Sequence, residues 1–438
     1  MTGEIAEPRP WPRATLWLLG LGLLFFSSYN TANWLASRRG YVPSIVFAWE
    51  TWIPYWPWTI VPYWSIDLVY AVSLFVCATR RELDTHALRL LTVQLISVAI
   101  FIIAPLRCTF ERPETGGLYG AMLDALLMFD KPFNQAPALH ISLLVILWVC
   151  YVKHVYGAWR WLLHVWFTLI GVSVLTTYQH HFFDIPTGLW TGLFCVWLFP
   201  GNAASSLQSA SLTYDARRRQ LALRYAASAA GVAAIAVVVG GWALWLLWLT
   251  GSLLLVALIY AALDTSAFQK GGDGRMSFAS AALLAPYLAG AWLNSRWWTR
   301  RAPRAGAITP QLWIGRLPAH ARDLPAGVDA LVDLCAELPC VAATRHYLHN
   351  PALDLVPLSA AQLTVSAQGI ARLLAAGPVL VCCALGYSRS AAAVAAWLII
   401  SGEAASAADA IARIRLVRPN VVLSDAQRLA LEQVARVP

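Results

Sequence analysis

Cys383 and Arg389 are separated by five residues, with Gly386 among them and Ser390 directly after. Cysteine attacks as its thiolate. Arginine offers a planar fork of donors that matches two phosphate oxygens. The surrounding stretch is Val379-Leu380-Val381-Cys382-Cys383-Ala384-Leu385-Gly386-Tyr387-Ser388-Arg389-Ser390. A short apolar run enters it and the Ala-rich run 391–400 leaves it, which reads as strand, tight loop, helix. Such a loop turns its backbone N–H groups, those of Gly386 and Ser388 among them, toward one point at the helix N-terminus. That point is an anion site. Its positive field favours the thiolate of Cys383, and the Ser390 hydroxyl can bond the sulfur when it leaves. The chemistry indicated is phosphoryl transfer through a cysteine.

A second set of residues lies far upstream, in three clusters. These are Arg107 with Arg112-Pro113, then Pro137-Ala138-Leu139-His140, then Gln179-His180-His181-Phe182-Phe183-Asp184. Each falls at the end of an apolar stretch, where ionisable residues mark functional positions. A histidine can attack phosphorus when a carboxylate holds its other ring nitrogen, and Asp184 follows His180 by four residues, one helical turn. His140 can protonate a leaving alcohol. Arg112 can neutralise phosphate charge, with Arg107 as a further cation.

The elements that must position these groups follow from composition. The 438 residues are 59% hydrophobic and only 13% charged, with 22 Trp; soluble chains average about 25% charged. This predicts a multi-pass protein of the cell's inner (plasma) membrane with a soluble part attached. Apolar stretches long enough to span occur near 14–35, 65–78, 87–106, 139–155, 160–178 and 185–199, with two more at 222–240 and 242–263. Residues 40–64 are rich in Trp, Tyr and Pro, as at a membrane–water boundary. The net charge of +9 sits between the apolar stretches. It is read as a topology signal and not as a nucleic-acid footprint. Arg9, Arg13, Arg80, Arg81, Lys153, Arg160 and the Arg217-Arg218-Arg219 run in the basic loop 202–221 are assigned to the cytoplasm. The loops 107–138 and 179–184 then face outward, and Arg38 and Arg39 are exceptions. The run 278–298 has Lys270 and Arg275 before it and Arg296, Arg300, Arg301 and Arg304 after it. We read it as an interfacial helix, which keeps the C-terminal domain cytoplasmic.

The C-terminal stretch resembles the signature loop of the dual-specificity branch of the cysteine-dependent protein tyrosine phosphatases: Cys, five residues, Arg, then Ser or Thr. The likeness covers about 305–435. It implies a small α/β domain with Cys383 as nucleophile, Arg389 as phosphate ligand and Asp354 as general acid. Asp354 closes Tyr347-Leu348-His349-Asn350-Pro351-Ala352-Leu353-Asp354, a Pro-bounded loop from which a carboxyl can donate to a leaving alkoxide. Gln311-Leu312-Trp313-Ile314-Gly315 and Ala330-Leu331-Val332-Asp333-Leu334-Cys335 read as strands, and 359–376 and 404–416 as amphipathic helices. Arg418-Pro419 also fits the family. Where the family has His before the nucleophile, this chain has Cys382.

The upstream clusters resemble the type-2 phosphatidic acid phosphatase superfamily, over about 60–200. Arg112-Pro113, Pro137 with His140, and His180 with Asp184 match its motifs in order and spacing. The likeness implies a six-helix core with His180 as nucleophile, His140 as acid, Asp184 as orienting carboxylate and Arg112 as phosphate ligand. The lysine expected seven residues before Arg112 is Pro105, and the third-motif arginine falls on Val174. Transfer to an alcohol, as in the inositolphosphoryl-ceramide synthase branch, is an alternative to hydrolysis.

Three parts are therefore expected: a phosphatidic acid phosphatase-like membrane domain at 1–200, a linking region with extra helices at 201–304, and an α/β phosphatase domain at 305–438. The expected function is hydrolysis of phosphomonoesters, on phosphorylated membrane lipid or phosphoprotein in contact with the bilayer. The other reading is a tethered protein phosphatase whose helical part is an inactive scaffold. No CxxC pair or His/Cys metal spacing occurs among the eight cysteines, so neither site calls for a metal or another cofactor.

Overall fold

The computed structural model describes residues 8–201, 207–208, 210–340 and 344–436. The polar head expected at 1–13 is described from residue 8, and residues 202–206 and 209 of the expected basic loop lie outside the described residues. The chain divides into two compact units, Met1–Ser205 and Ser206–Pro438.

The first unit is helical: α1 (Trp11–Ser37), α2 (Ile60–Val76), α3 (Arg80–Ile103), α4 (Gly117–Phe129), α5 (Leu139–His154), α6 (Ala158–Thr176) and α7 (Asp184–Leu198). A helix falls on each of the six apolar stretches. The starts of α2 and α3 come furthest ahead of the expected ones. A turn led by Pro57 runs into α2, because Pro is pre-set for a helix start. Thr79 caps α3, its Oγ1 accepting from the Glu82 N–H at 3.2 Å. Helix α4 was not expected; it lies in the stretch read as an outer loop. Gly188 and Gly192 let α7 close on α5: a Cβ at either would meet the Ala138 or Ser142 carbonyl oxygen at 2.6 or 2.7 Å. The Ser142 hydroxyl donates to the Gly188 carbonyl at 2.9 Å. Small residues thus bring the N-termini of α5 and α7 side by side.

In the second unit, α8 (Ala216–Val239) and α9 (Leu246–Ala261) pack as a hairpin turned at Gly240 and Gly241, and α10 (Phe278–Trp298) packs on α9. Across the described residues, five helices are long and apolar enough to cross a membrane: Pro57–Val76, Arg80–Ile103, Ala158–Thr176, Ala216–Val239 and Gly241–Ala261.

After α10 come β1 (Ala305–Ala307), β2 (Leu312–Arg316), β3 (Ala330–Cys335), β4 (His346–Ala352), α11 (Ala360–Leu374), β5 (Val379–Cys383), α12 (Arg389–Ile400), α13 (Ala407–Val417) and α14 (Asp425–Arg436). The sheet order is β1-β2-β5-β3-β4, with β1 antiparallel and the rest parallel. Strands β3 and β5 are buried along their whole length, as central parallel strands require. The fully buried small residues Ala391, Ala392, Ala393, Ala395 and Ala396 let α12 lie flush on the sheet. Ser359 and Gln362 cap α11 reciprocally, at 3.3 and 3.0 Å.

Both ends of α10 are tied to this α/β layer. Ahead of it, Lys270 Nζ lies 2.5 Å from Asp333 Oδ2 on β3. At its far end, the Ser295 hydroxyl donates to the Ala384 carbonyl at 2.5 Å, and Arg316 Nη1 to Thr299 Oγ1 at 2.8 Å. Lys270 was read as a charge flanking an interfacial helix, but both it and Asp333 have 0% side-chain exposure. It serves as the counter-ion of a carboxylate inside the sheet, and buried charges persist only when paired.

Candidate active site

The loop between β5 and α12 is held open by two neighbours. Gly386 has φ +76°, and a Cβ there would meet the backbone of Gly315 on β2 at 2.5 Å. Only glycine meets both conditions. Arg418 is 3% exposed; its Nε donates to the Gly386 carbonyl at 3.0 Å and its Nη2 to the Leu385 carbonyl at 3.1 Å. With these carbonyls drawn toward Arg418, the Gly386 N–H faces inward and donates to Cys383 Sγ at 3.3 Å.

Cys383 is 3% exposed, and its sulfur is also 3.3 Å from Ser390 Oγ. Burial pushes the thiol up, but the Arg389 charge and the hydrogen bonds from Ser390 and Gly386 outweigh it, so its pKa lies below the ordinary thiol value. Cys382 packs on the opposite face of the strand, in a different apolar cluster. Burial holds its pKa well above the ordinary value, so of the two adjacent thiols only Cys383 is poised as a nucleophile. Ser388 Oγ is 3.2 Å from Gln427 Oε1.

Arg389 is 2% exposed and gripped by a residue the sequence did not single out. Glu337 takes it in a two-pronged pair, Oε1 at 2.6 Å and Oε2 at 2.8 Å. The Ala352 carbonyl accepts from Nη1 at 2.8 Å. Asp354 Oδ1 lies 3.0 Å from Nη2. Burial raises the Asp354 pKa and Glu337 adds to the rise; the opposing Arg389 charge does not cancel it. A signal for Glu337 existed: it is a lone carboxylate just beyond a buried strand, at the sheet edge where sites of parallel α/β folds gather.

The acid loop is braced by the helical hairpin of the same unit. The Tyr260 hydroxyl, at the end of α9, donates to the Asp354 carbonyl at 3.0 Å. Arg217 Nε, at the start of α8, donates to the Leu355 carbonyl at 3.3 Å. Leu355 itself has φ +58°, a left-handed conformation that costs a non-glycine residue about 1–2 kcal/mol.

In the first unit, His180 Nδ1 lies 3.2 Å from Asp184 Oδ2, both side chains buried. With its amide turned to donate, Gln135 lies 3.3 Å from His180 Nδ1 and 3.0 Å from Asp184 Oδ2. The Ala138 N–H donates to the Asp184 carbonyl at 3.2 Å, which sets the start of α5, and with it His140, beside Asp184. His140 stacks on Tyr63 at 4.2 Å, and its Nε2 has no partner among the described residues. Arg112 pairs with Asp124 on α4 at 2.5 Å, and Arg107 is exposed. Among the described residues, no hydrogen bond or ion pair joins either to a histidine. Glu50 and His181 form a further pair, Oε2 to Nδ1 at 2.9 Å, while His181 Nε2 accepts from the Thr109 N–H at 3.0 Å. With both nitrogens engaged, His181 is a brace for the loop.

No protein-family model matches the chain, and no curated protein matches it. Among solved structures it is similar to Tk-PTP in its active form, at 25% identity over 31% of this chain and 99% of that one, with a TM-score of 0.27. It is similar to human DUSP28 at 25% identity, over 30% of this chain and 93% of that one, with a TM-score of 0.28. It is also similar to PTPMT1 in complex with PI(5)P, at 22% identity over 30% of this chain and 95% of that one, with a TM-score of 0.28.

Proposed function

We propose that the chain is a membrane-bound phosphoric monoester hydrolase working through Cys383. The observation that carries this reading is the sulfur itself: buried, lowered in pKa, and 3.3 Å from both the Gly386 N–H and Ser390 Oγ. An entering phosphate dianion replaces Asp354 as the partner of Arg389, and the carboxyl takes up a proton beside the new negative charge. Sγ attacks phosphorus, the P–O ester bond breaks, and Asp354 protonates the leaving alkoxide. Water then attacks phosphorus, the S–P bond breaks, Asp354 takes the water's proton and the thiolate is restored.

Membrane lipid phosphates are the favoured substrates. Tyr260 and Arg217, at the paired ends of the α8–α9 hairpin, both bond the acid loop, so a hairpin seated in the bilayer holds the site at its surface. The ties at both ends of α10 support an interfacial position, since this helix of 21 residues is about 31 Å long and a crossing would part its ends. Phosphate release by the full-length protein from phosphorylated lipids in vesicles, compared with phosphopeptides, tests the assignment. Turnover of peptides alone would favour the tethered protein phosphatase.

A second reading applies to the first unit. The His180–Asp184 contact supports histidine-centred phosphoryl chemistry there, with Nε2 attacking and His140 as acid. With Arg112 committed to Asp124, the expected activity is slow hydrolysis or transfer to an alcohol. Lipid-phosphate release that survives Cys383→Ser and is lost on adding His180→Ala would identify it.

A further inference from the structure

At the other end of the first unit, a cavity of about 270 Å³ lies between the first turns of α3, the last turn of α5 and the chain leaving α7. The 13 helical steps along α5 from His140 to Lys153 place it roughly 20 Å from the histidine cluster. It belongs to neither candidate active site.

Three cations line it: Arg81, Arg89 and Lys153. Arg89 is 4% exposed, and its Nε and Nη2 donate to the Phe199 carbonyl at 2.9 and 2.6 Å. Lys153 and Arg89 converge on Gly201, where a Cβ would lie 2.8 Å from Lys153 Nζ and 3.8 Å from Arg89 Nη2. Among the described residues, the one carboxylate in the wall, Glu82, is already engaged. Its Oε1 meets His154 Nε2 at 2.9 Å and its Oε2 accepts from the Ala78 N–H at 2.8 Å. Three cations against one carboxylate leave the described wall with net positive charge.

His86 supplies an independent requirement. It lines the cavity, is 2% exposed, and its Nδ1 has no partner among the described residues. Its Nε2 lies 2.8 Å from Ser73 Oγ, and that hydroxyl already donates to the Tyr70 carbonyl at 2.7 Å. The ring proton therefore sits on Nε2, and Nδ1 is a buried acceptor without a donor, which is unfavourable until a donor arrives. Cations together with an orphan acceptor fit one kind of ligand, an anion that also carries a hydroxyl.

We propose that this cavity binds a phosphate ester bearing a hydroxyl. The phosphate sits between Arg81, Arg89 and Lys153, and the hydroxyl donates to His86 Nδ1. A hydroxylated phospholipid headgroup and a free phosphate ester share this chemistry. Basic pockets between helices at the cytoplasmic end take such headgroups, and the basic residues assign this end to the cytoplasm.

Native mass spectrometry of the delipidated full chain in micelles tests the site. The probes are phosphatidylglycerol, phosphatidylmethanol (the same charge without a hydroxyl), phosphatidylcholine and glycerol 3-phosphate. One phosphatidylglycerol should be retained most tightly. Lys153→Gln should weaken it about fivefold, and Gly201→Leu, which fills the cavity, should abolish it. Lys153 is exposed, so its substitution reports even where the glycine variant fails to fold. Binding of glycerol 3-phosphate without the lipid, with the same sensitivity to both variants, would identify the free ester as the source. Retention unchanged in Lys153→Gln, or phosphatidylcholine held equally well, would overturn the site. Equal retention of phosphatidylmethanol would overturn the role of His86.

Discussion

The Tyr260 hydroxyl reaches the backbone carbonyl of Asp354 across 3.0 Å, joining the last turn of an apolar helix to the residue proposed as general acid. Tyr260→Phe removes only that bond. A single neutral hydrogen bond is worth about 1 kcal/mol, so kcat for alkyl phosphates should fall roughly fivefold. An aryl phosphate, whose leaving group needs little protonation, should be spared. Equal losses on both would detach Tyr260 from the acid's position.

Asp354→Asn tests the acid itself through pH. Activity requires Cys383 as thiolate and Asp354 protonated. The thiolate fraction rises with pH and the carboxyl fraction falls, so kcat/KM should be bell-shaped. The lowered thiol and the raised carboxyl bring the two limbs toward each other. The asparagine variant should lose the descending limb and keep the ascending one. A descending limb that survives would place the acid elsewhere.

Glu337→Gln leaves Arg389 buried with a poorer partner. Breaking a buried ion pair costs about 3–5 kcal/mol, so the variant should unfold at lower denaturant. A phosphate analogue should bind more weakly, because the fork is no longer aimed. Unchanged stability and affinity would show that Arg389 is oriented by the Ala352 carbonyl and Asp354 alone.

A reporter fused after Pro438 tests the side. Arg217 Nε bonds the Leu355 carbonyl, so the α/β layer lies on the side where α8 begins, next to Arg217, Arg218 and Arg219. The expected readout is cytoplasmic. An outward readout would mean that the basic loop does not govern orientation.

The cysteine loop was legible because strand, glycine and helix are encoded within one short stretch: Cys383 ends β5, Arg389 and Ser390 begin α12, and the Gly386 N–H turns toward the sulfur. Glu337 is marked in the sequence only as a lone carboxylate after a buried strand; its partner depends on which strands are neighbours, and β3 lies beside β5 only through a crossover. Lys270 misled, since a lysine near an apolar run reads the same whether it meets a headgroup or a buried Asp333. Helix α4 was missed because 13 residues are too few to announce a span, yet its Asp124 is what holds Arg112. Cations paired within one fold are invisible to spacing, and the same holds for Arg89, Lys153 and Gly201 at the cavity.

The central claim rests on one sulfur. Phosphate release from a lipid phosphomonoester should be measured with the full-length protein carrying His180→Ala, with and without Cys383→Ser. Removing the thiol should cost about a thousandfold or more in rate, with a phosphate analogue still bound. Turnover undiminished by Cys383→Ser would contradict it.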